Sequence, residues 1–140
     1  MCVSQIIDTT YVRRILSLMS AEAPEATVRQ FWAHFDAKEF EALAALMADG
    51  ACETDDASHG WIRGRAQIEE HFVSLGARFS DSHTTVDEVH VVEADGAAIV
   101  TCMVTYSMTW RDQPTTVQAP TSLVLLRQDR SWNIALLHTK

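Results

Sequence analysis

The stretch "ACETDDASHGWIRGR", residues 51–65, places two carboxylates, Asp55 and Asp56, just ahead of His59 and Trp61, between two apolar periodic segments. An acid in such a place has two ordinary fates. It can lie in a solvated loop with its oxygens taken up by nearby amides, an Asx-type turn. It can instead be held at the mouth of a pocket, where a carboxylate within reach of a substrate proton acts as a general base. Neighbours on an extended strand point to opposite faces, so a pocket-facing Asp55 implies an outward-facing Asp56. His59 can be oriented by the acid and titrate near neutrality, or be an exposed loop histidine. Trp61 can be a ligand-stacking lid or an anchor for the loop, the anchor being favoured.

Other side chains with chemical capacity lie farther along. Tyr106 shares one strand face with Val104, Met108 and Trp110 by alternation, and its phenol can donate to a substrate oxygen or reach backbone from the core. His138 comes late, on a closing strand. His34 and His71 sit on helical segments beside core positions, and His83 and His90 on the first long strand. No His, Asp and Glu set has metal-ligand spacing such as HExxH, so no metal is predicted. There is no Gly-rich phosphate loop and no serine nucleophile elbow.

The chain has 140 residues, 47% hydrophobic and 21% charged, with 11 basic against 19 acidic side chains and a net charge of −8. That is a globular composition, sized for one domain with a proper core. The basic residues are scattered, which argues against nucleic acid and anionic membrane as partners. Cys2, Cys52 and Cys102 are odd in number and lack metal spacing, so Cys52 and Cys102 read as small buried hydrophobes in a reducing compartment. No apolar run approaches the roughly 20 residues of a membrane span. Arg13-Arg14, Ile15 to Met19 and Ala21-Glu22-Ala23 imitate a signal peptide, but the apolar stretch is too short, and a cytoplasmic location is expected.

These groups have to be positioned by the elements between them. Residues 1–22 read as an N-terminal arm, with Ile7, Tyr11, Ile15 and Leu18 near helical spacing, and residues 23–140 as the domain. Pro24 suits a first helical turn, and Val28, Phe31, Trp32 and Phe35 give a helical apolar face. The spacing predicts helices over 24–36, 38–48 and 64–79, with Gly50 as a C-terminal stop for the second. After Ser80 the pattern turns to strands: His83 to Val92, a turn at Asp95-Gly96, Ala97 to Trp110, Thr115 to Leu126, and Trp132 to His138. Helices first and antiparallel strands afterwards predict an α+β fold, with three helices packed on a curved antiparallel sheet around an apolar pocket.

Three stretches carry a family resemblance: "FDAKEFEALAALMADGACETDD", "GWIRGRAQIEEHF" and "TSLVLLRQDRSWNIALLHT". They resemble the helix–helix–strand opening, third helix and closing hairpin of the cone-shaped, NTF2-like fold. Nuclear transport factor 2, ketosteroid isomerase and the SnoaL-like polyketide cyclases share it. The ending and the "GR" helix look closest to small bacterial proteins of enediyne antibiotic clusters. Laid along ketosteroid isomerase from Phe31 to Phe72 without a gap, the chain puts Asp55 where that family has its catalytic aspartate. The resemblance also implies that the face bearing Tyr106 lines the cavity. The family's tyrosines fall on Phe31, Met47 and Phe72, and its protonated aspartate on Ser122, or on Thr121 if the preceding hairpin carries one extra residue. Each missing oxyanion donor costs about 10²–10³ in rate, so steroid isomerisation by the family's route is not expected.

The expected function is therefore a cofactor-independent proton transfer, an isomerisation or cyclisation, on a hydrophobic carbonyl or polyketide-like compound. Asp55 would be the base and Tyr106 or His138 its partner. Phe31, Trp32, His59, Trp61, Phe72, Val104, Trp110 and Ser122 would form the substrate wall and lid. A non-catalytic hydrophobic-ligand-binding or scaffold protein is the alternative. An epoxide hydrolase ranks below both, with Arg63 or Arg65 beside Asp55 as its only support. Desolvation among Phe31, Phe72 and Trp110 should raise the Asp55 pKa. Apolar residues on both faces of the last two strands predict a homodimer through the sheet.

Overall fold

Pro24 opens the first helix, α1 (Pro24–Asp36), at a position where its missing N–H costs nothing. In the computed structural model, which describes residues 9–12 and 23–140, α1 buries the predicted stripe of Val28, Phe31, Trp32 and Phe35. Residues 9–12 are also helical, so a further helical segment joins the three predicted, and Tyr11 within it is exposed. Ile7, Ile15, Leu18 and the signal-like stretch from Arg13 lie outside the described residues. Asp36, ending α1, accepts bonds from the Ser82 hydroxyl (2.7 Å) and from the backbone N–H and hydroxyl of Thr84 (2.8 and 2.6 Å), which ties the helix to the sheet.

The second helix, α2 (Phe40–Ala45), is shorter than predicted, and the chain becomes extended at Met47 to form β1 (Met47–Asp55). Gly50 is thus a strand residue and not a helix stop. A two-residue strand β2 (Ile62–Arg63) precedes α3 (Arg65–Gly76), which buries Ile68, Phe72 and Leu75. A Cβ on Gly76 would come within 2.5 Å of the Phe40 ring, so glycine is what lets α2 and α3 approach there. The strands β3 (Phe79–Ala94), β4 (Ala97–Trp110), β5 (Gln113–Gln128) and β6 (Ser131–Thr139) follow. Asp95 and Gly96, both at positive φ, make the predicted tight turn between β3 and β4.

The six strands form one curved sheet in the order β2-β1-β6-β5-β4-β3. It is mixed rather than purely antiparallel, because β1 runs parallel to β6. β-bulges interrupt it. The one on β6 matters most: Leu125 pairs with Ile134 but Val124 with Leu136, so Ala135 is the extra residue. Trp132 and Ile134 point inward before it, and Leu137 and Thr139 after it. The helices cover the inner face. No helix among the described residues is long and apolar enough to cross a membrane.

Candidate functional site

The helices and the inner sheet face do not close completely, and leave an open-mouthed cavity of about 350 Å³. Trp32 and Phe35 of α1 and Phe72 and Leu75 of α3 form one wall. Tyr106, Met108 and Trp110 of β4 form the other with Thr115, Val117 and Ala119 of β5. Aromatic edges lock this wall in place: Trp32 meets Tyr106 at 5.3 Å between ring centres, and Phe35 meets Phe72 at 6.0 Å. Besides the hydroxyls of Tyr106 and Thr115, the polar lining comes from Asp55, Asp56 and Ala57 around the end of β1 and from Thr139 on β6, which stands opposite Asp55 in the parallel register.

Asp55 combines both fates open to it from sequence. Its Oδ1 accepts the backbone N–H groups of Ala57 and Ser58, each at 2.8 Å, an Asx-type turn that ends β1. The side chain is nevertheless buried and lines the cavity, while Asp56 is exposed at the mouth. Its Oδ2 meets His71 Nε2 at 2.7 Å. Glu53, two residues earlier on β1 and therefore on the same face, is completely buried, with Oε2 3.9 Å from the same His71 nitrogen. Neither Glu53 oxygen has a hydrogen-bond donor among the described protein groups.

Two carboxyls packed together cannot both ionise cheaply. Burial, and then the hydrogen bond and charge of Asp55, push Glu53 up to about 9. Burial also pushes Asp55 up, but hydrogen bonds from His71 and Glu53, the adjoining His71 ring and the Ala57 amide outweigh it, and Asp55 ends below its ordinary value. The raised Asp55 pKa expected from sequence is thereby corrected, since the expectation counted the apolar wall and not the donors. At neutral pH the pair carries one proton, on Glu53, and Asp55 is the ionised member. Separated values of this kind mark an acid and a base by their environments.

Glu53, Asp55 and His71 also bring three ligand-type atoms within 4.8 Å of one another. A zinc ion with ligand bonds of about 2.0–2.1 Å would hold such atoms roughly 3.3 Å apart. The direct Asp55–His71 contact of 2.7 Å is the length of a hydrogen bond, and leaves no room for an ion between those two atoms as they stand.

Tyr106 lies in the cavity wall. Thr121 donates to the Ala119 carbonyl (3.0 Å), Thr139 can then donate to Thr121 (2.9 Å), and the Tyr106 hydroxyl is left to donate to Thr139 at a long 3.5 Å. Burial pushes the phenol well above its ordinary pKa, so it remains a neutral O–H. The other named residues divide. Trp32, Phe72 and Trp110 line the cavity. Phe31 and Val104 are fully buried beneath it. His59 and Trp61 are exposed and outside the lining, Trp61 at 51%, so the tryptophan neither covers the cavity nor anchors its loop by burial. Ser122 faces outward, paired with His138, and Thr121 is the inward neighbour. His138 is exposed on the outer face because the bulge at Ala135 flips the alternation and turns Thr139 inward instead.

Arg65 bonds the Met47 carbonyl (3.1 and 2.8 Å) and pairs with Asp49 (3.0 Å), and Arg63 lies against the Cys52 sulfur (3.6 Å). Neither arginine lines the cavity. Cys102 is buried, and burial pushes its thiol up to about 11.

Glu53 and His71 were absent from the sequence-derived site, though each had a signal. The strand alternation that sent Asp56 outward places Glu53 beside Asp55. His71 follows Ile68 by three positions on α3, on the flank of its buried stripe.

The SnoaL-like domain family matches residues 25–139. Solved structures share the fold. The CaMKII hub of S. rosetta has a TM-score of 0.75 at 16% identity, over 86% of this chain and 95% of that one. An NTF2-like family protein from Streptomyces avermitilis has a TM-score of 0.71 at 16% identity, over 82% and 91%. A ketosteroid isomerase-like protein from Erwinia carotovora atroseptica has a TM-score of 0.67 at 18% identity, over 82% and 90%. No curated protein matches the sequence significantly.

Proposed function

The chain belongs to the SnoaL-like domain family, and within it we propose a cofactor-independent small-molecule enzyme that moves a proton on a hydrophobic carbonyl compound, with Asp55 as the general base. The observation carrying this reading is the placement of Asp55, buried and hydrogen-bonded by His71, at the polar end of an otherwise apolar aromatic cavity. Two amides occupy Oδ1, so Oδ2, which His71 bonds, is the oxygen that takes a substrate proton, in exchange for a bond it already accepts. Tyr106 is the neutral donor in the same cavity, and its weak bond to Thr139 is easily exchanged for one to a substrate oxygen. The volume falls at the small end of the roughly 300–1,000 Å³ usual for ligand pockets. Among the described residues no cationic side chain lines it, which favours a small neutral ketone or enone over an anionic substrate.

A non-catalytic ligand-binding protein is the second reading, favoured by the almost wholly apolar lining. The engagement of Arg63 and Arg65 elsewhere leaves epoxide hydrolysis without support. The readings separate on α-proton exchange of small aryl ketones in D2O, followed by NMR. Exchange by the parent and none by Asp55→Asn supports the enzyme. Binding without exchange by the parent supports the binding protein.

We also propose that the outer sheet face docks a second copy of the chain. Val92, Ile99, Val124 and Leu136 stand opposite one another across β3, β4, β5 and β6, an apolar row crossing four strands. Val92 and Ile99 are each about half exposed (52% and 51%). An apolar row on a sheet face is the kind of surface a self-complementary dimer buries, and the likeness to a hub domain is in keeping with assembly.

A further inference from the structure

We propose that Glu53 is held as a neutral carboxylic acid whose O–H donates to Asp55, so that it serves as a positioning residue for the base. The proposal deepens the proton-transfer reading and rests on it for its catalytic meaning, though the proton itself can be detected without any substrate.

Glu53 is fully buried, and no described N–H or O–H group donates to either of its oxygens. His71 Nε2 is 3.9 Å from Oε2 and is committed to Asp55 at 2.7 Å. An ionised carboxylate in that position would be unsolvated and unpaired, beside a second carboxylate. A proton on Glu53 removes the charge and gives this residue a donor that can face Asp55. The titratable groups facing Glu53 are Asp55 on its own strand, His71 from α3 and Tyr106 from β4. The one imidazole among them is bonded to Asp55 and not to Glu53, and burial accordingly drives Glu53 to the acid form.

The arrangement gives Glu53 a role that an apolar residue could not fill. Asp55 receives hydrogen bonds from the Ala57 and Ser58 amides on Oδ1 and from His71 on Oδ2, and a proton on Glu53 adds a further donor beside it. These fix the carboxylate and hold it ionised inside an apolar wall. Because Glu53 does not line the cavity, it acts through Asp55 and does not touch a substrate.

The test is NMR of side-chain carboxyl carbons in 13C-labelled full-length protein, titrated from about pH 2 to about pH 10, from below the ordinary carboxyl range to well above it. The resonance that disappears in Glu53→Gln is assigned to Glu53. It is expected to report the acid form at neutral pH and to ionise only near the alkaline end. A resonance already ionised at neutral pH overturns the proposal. Two variants add a readout that a merely structural role would not move. Glu53→Gln keeps a neutral donor toward Asp55 and should leave the Asp55 titration low, whereas Glu53→Leu removes the donor and should move it upward. Equal Asp55 titrations in the two variants overturn the proposal. Zn2+ and Co2+ are added separately. One-to-one binding that ionises Glu53 and is lost in Glu53→Gln would assign the orphaned carboxyl to a cation and overturn the proton. If these titrations come out as expected while no ketone exchanges, the carboxyl pair stands and only the enzyme reading falls.

Discussion

Glu53 and Asp55 lie two residues apart on β1, turn to the same inner face, and are driven in opposite directions, Glu53 up to about 9 and Asp55 below its ordinary value. One buried strand face therefore holds an acid and a base side by side.

This relationship fixes how stability depends on pH. Unfolded Glu53 ionises near 4.5 and folded Glu53 near 9. Between those values the folded state holds one more proton than the unfolded state, so stability falls as pH rises, by about 1.4 kcal/mol per unit, and levels off above the folded value. Asp55 works the other way: its stabilisation is present above the unfolded pKa and lost as pH falls through the lowered folded one. Chemical denaturation between about pH 6 and about pH 9 should show the downward slope in the parent and a flatter line in Glu53→Gln. Equal slopes would remove Glu53 as the source.

His71 supplies the shortest side-chain bond to Asp55. His71→Leu preserves bulk and apolar contact with Phe72 but removes the donor, leaving burial to dominate. The Asp55 carboxyl should then titrate higher, and neutral-pH stability should drop by about 1–3 kcal/mol, the usual cost of stripping a partner from a buried polar group. An unchanged Asp55 titration by carboxyl-carbon NMR would show that the contact does not matter to its charge.

The limits of the sequence reading have specific causes. The α1 stripe, the Asp95-Gly96 turn and the four long strands were legible because each follows a strong local period or turn signal. The parallel pairing of β1 with β6 was not, since strand partners far apart in sequence leave no local mark. The cavity role open to His138 fails because alternation along Trp132, Ile134 and Leu136 carries no hint of the extra residue at Ala135. Asp55 emerged through resemblance, whereas Glu53 required applying alternation backward from it. His71 required knowing which flank of α3 meets β1.

The outer apolar row yields a prediction about assembly. Ile99→Lys places a charge in the middle of Val92, Ile99, Val124 and Leu136, on an exposed position where the monomer fold should tolerate it. Light scattering at tens of micromolar should give a dimer for the parent and a monomer for the variant. A parent that is monomeric at that concentration contradicts the proposed interface.

The most direct test of the central claim is a paired rate measurement on neighbouring aspartates. Asp55→Asn keeps an Oδ1 acceptor for the Ala57 and Ser58 amides, so the turn and the fold should survive, while the base is lost. Asp56→Asn changes an exposed group at the mouth. With a small bicyclic aryl ketone in D2O, deuterium entry at the α-carbon should be catalysed by the parent and by Asp56→Asn. In Asp55→Asn it should fall by at least about 10², the lower range for losing a positioned general base. Exchange by Asp55→Asn at the parent's rate, with both variants equally folded by circular dichroism, would contradict the assignment of Asp55 as the base.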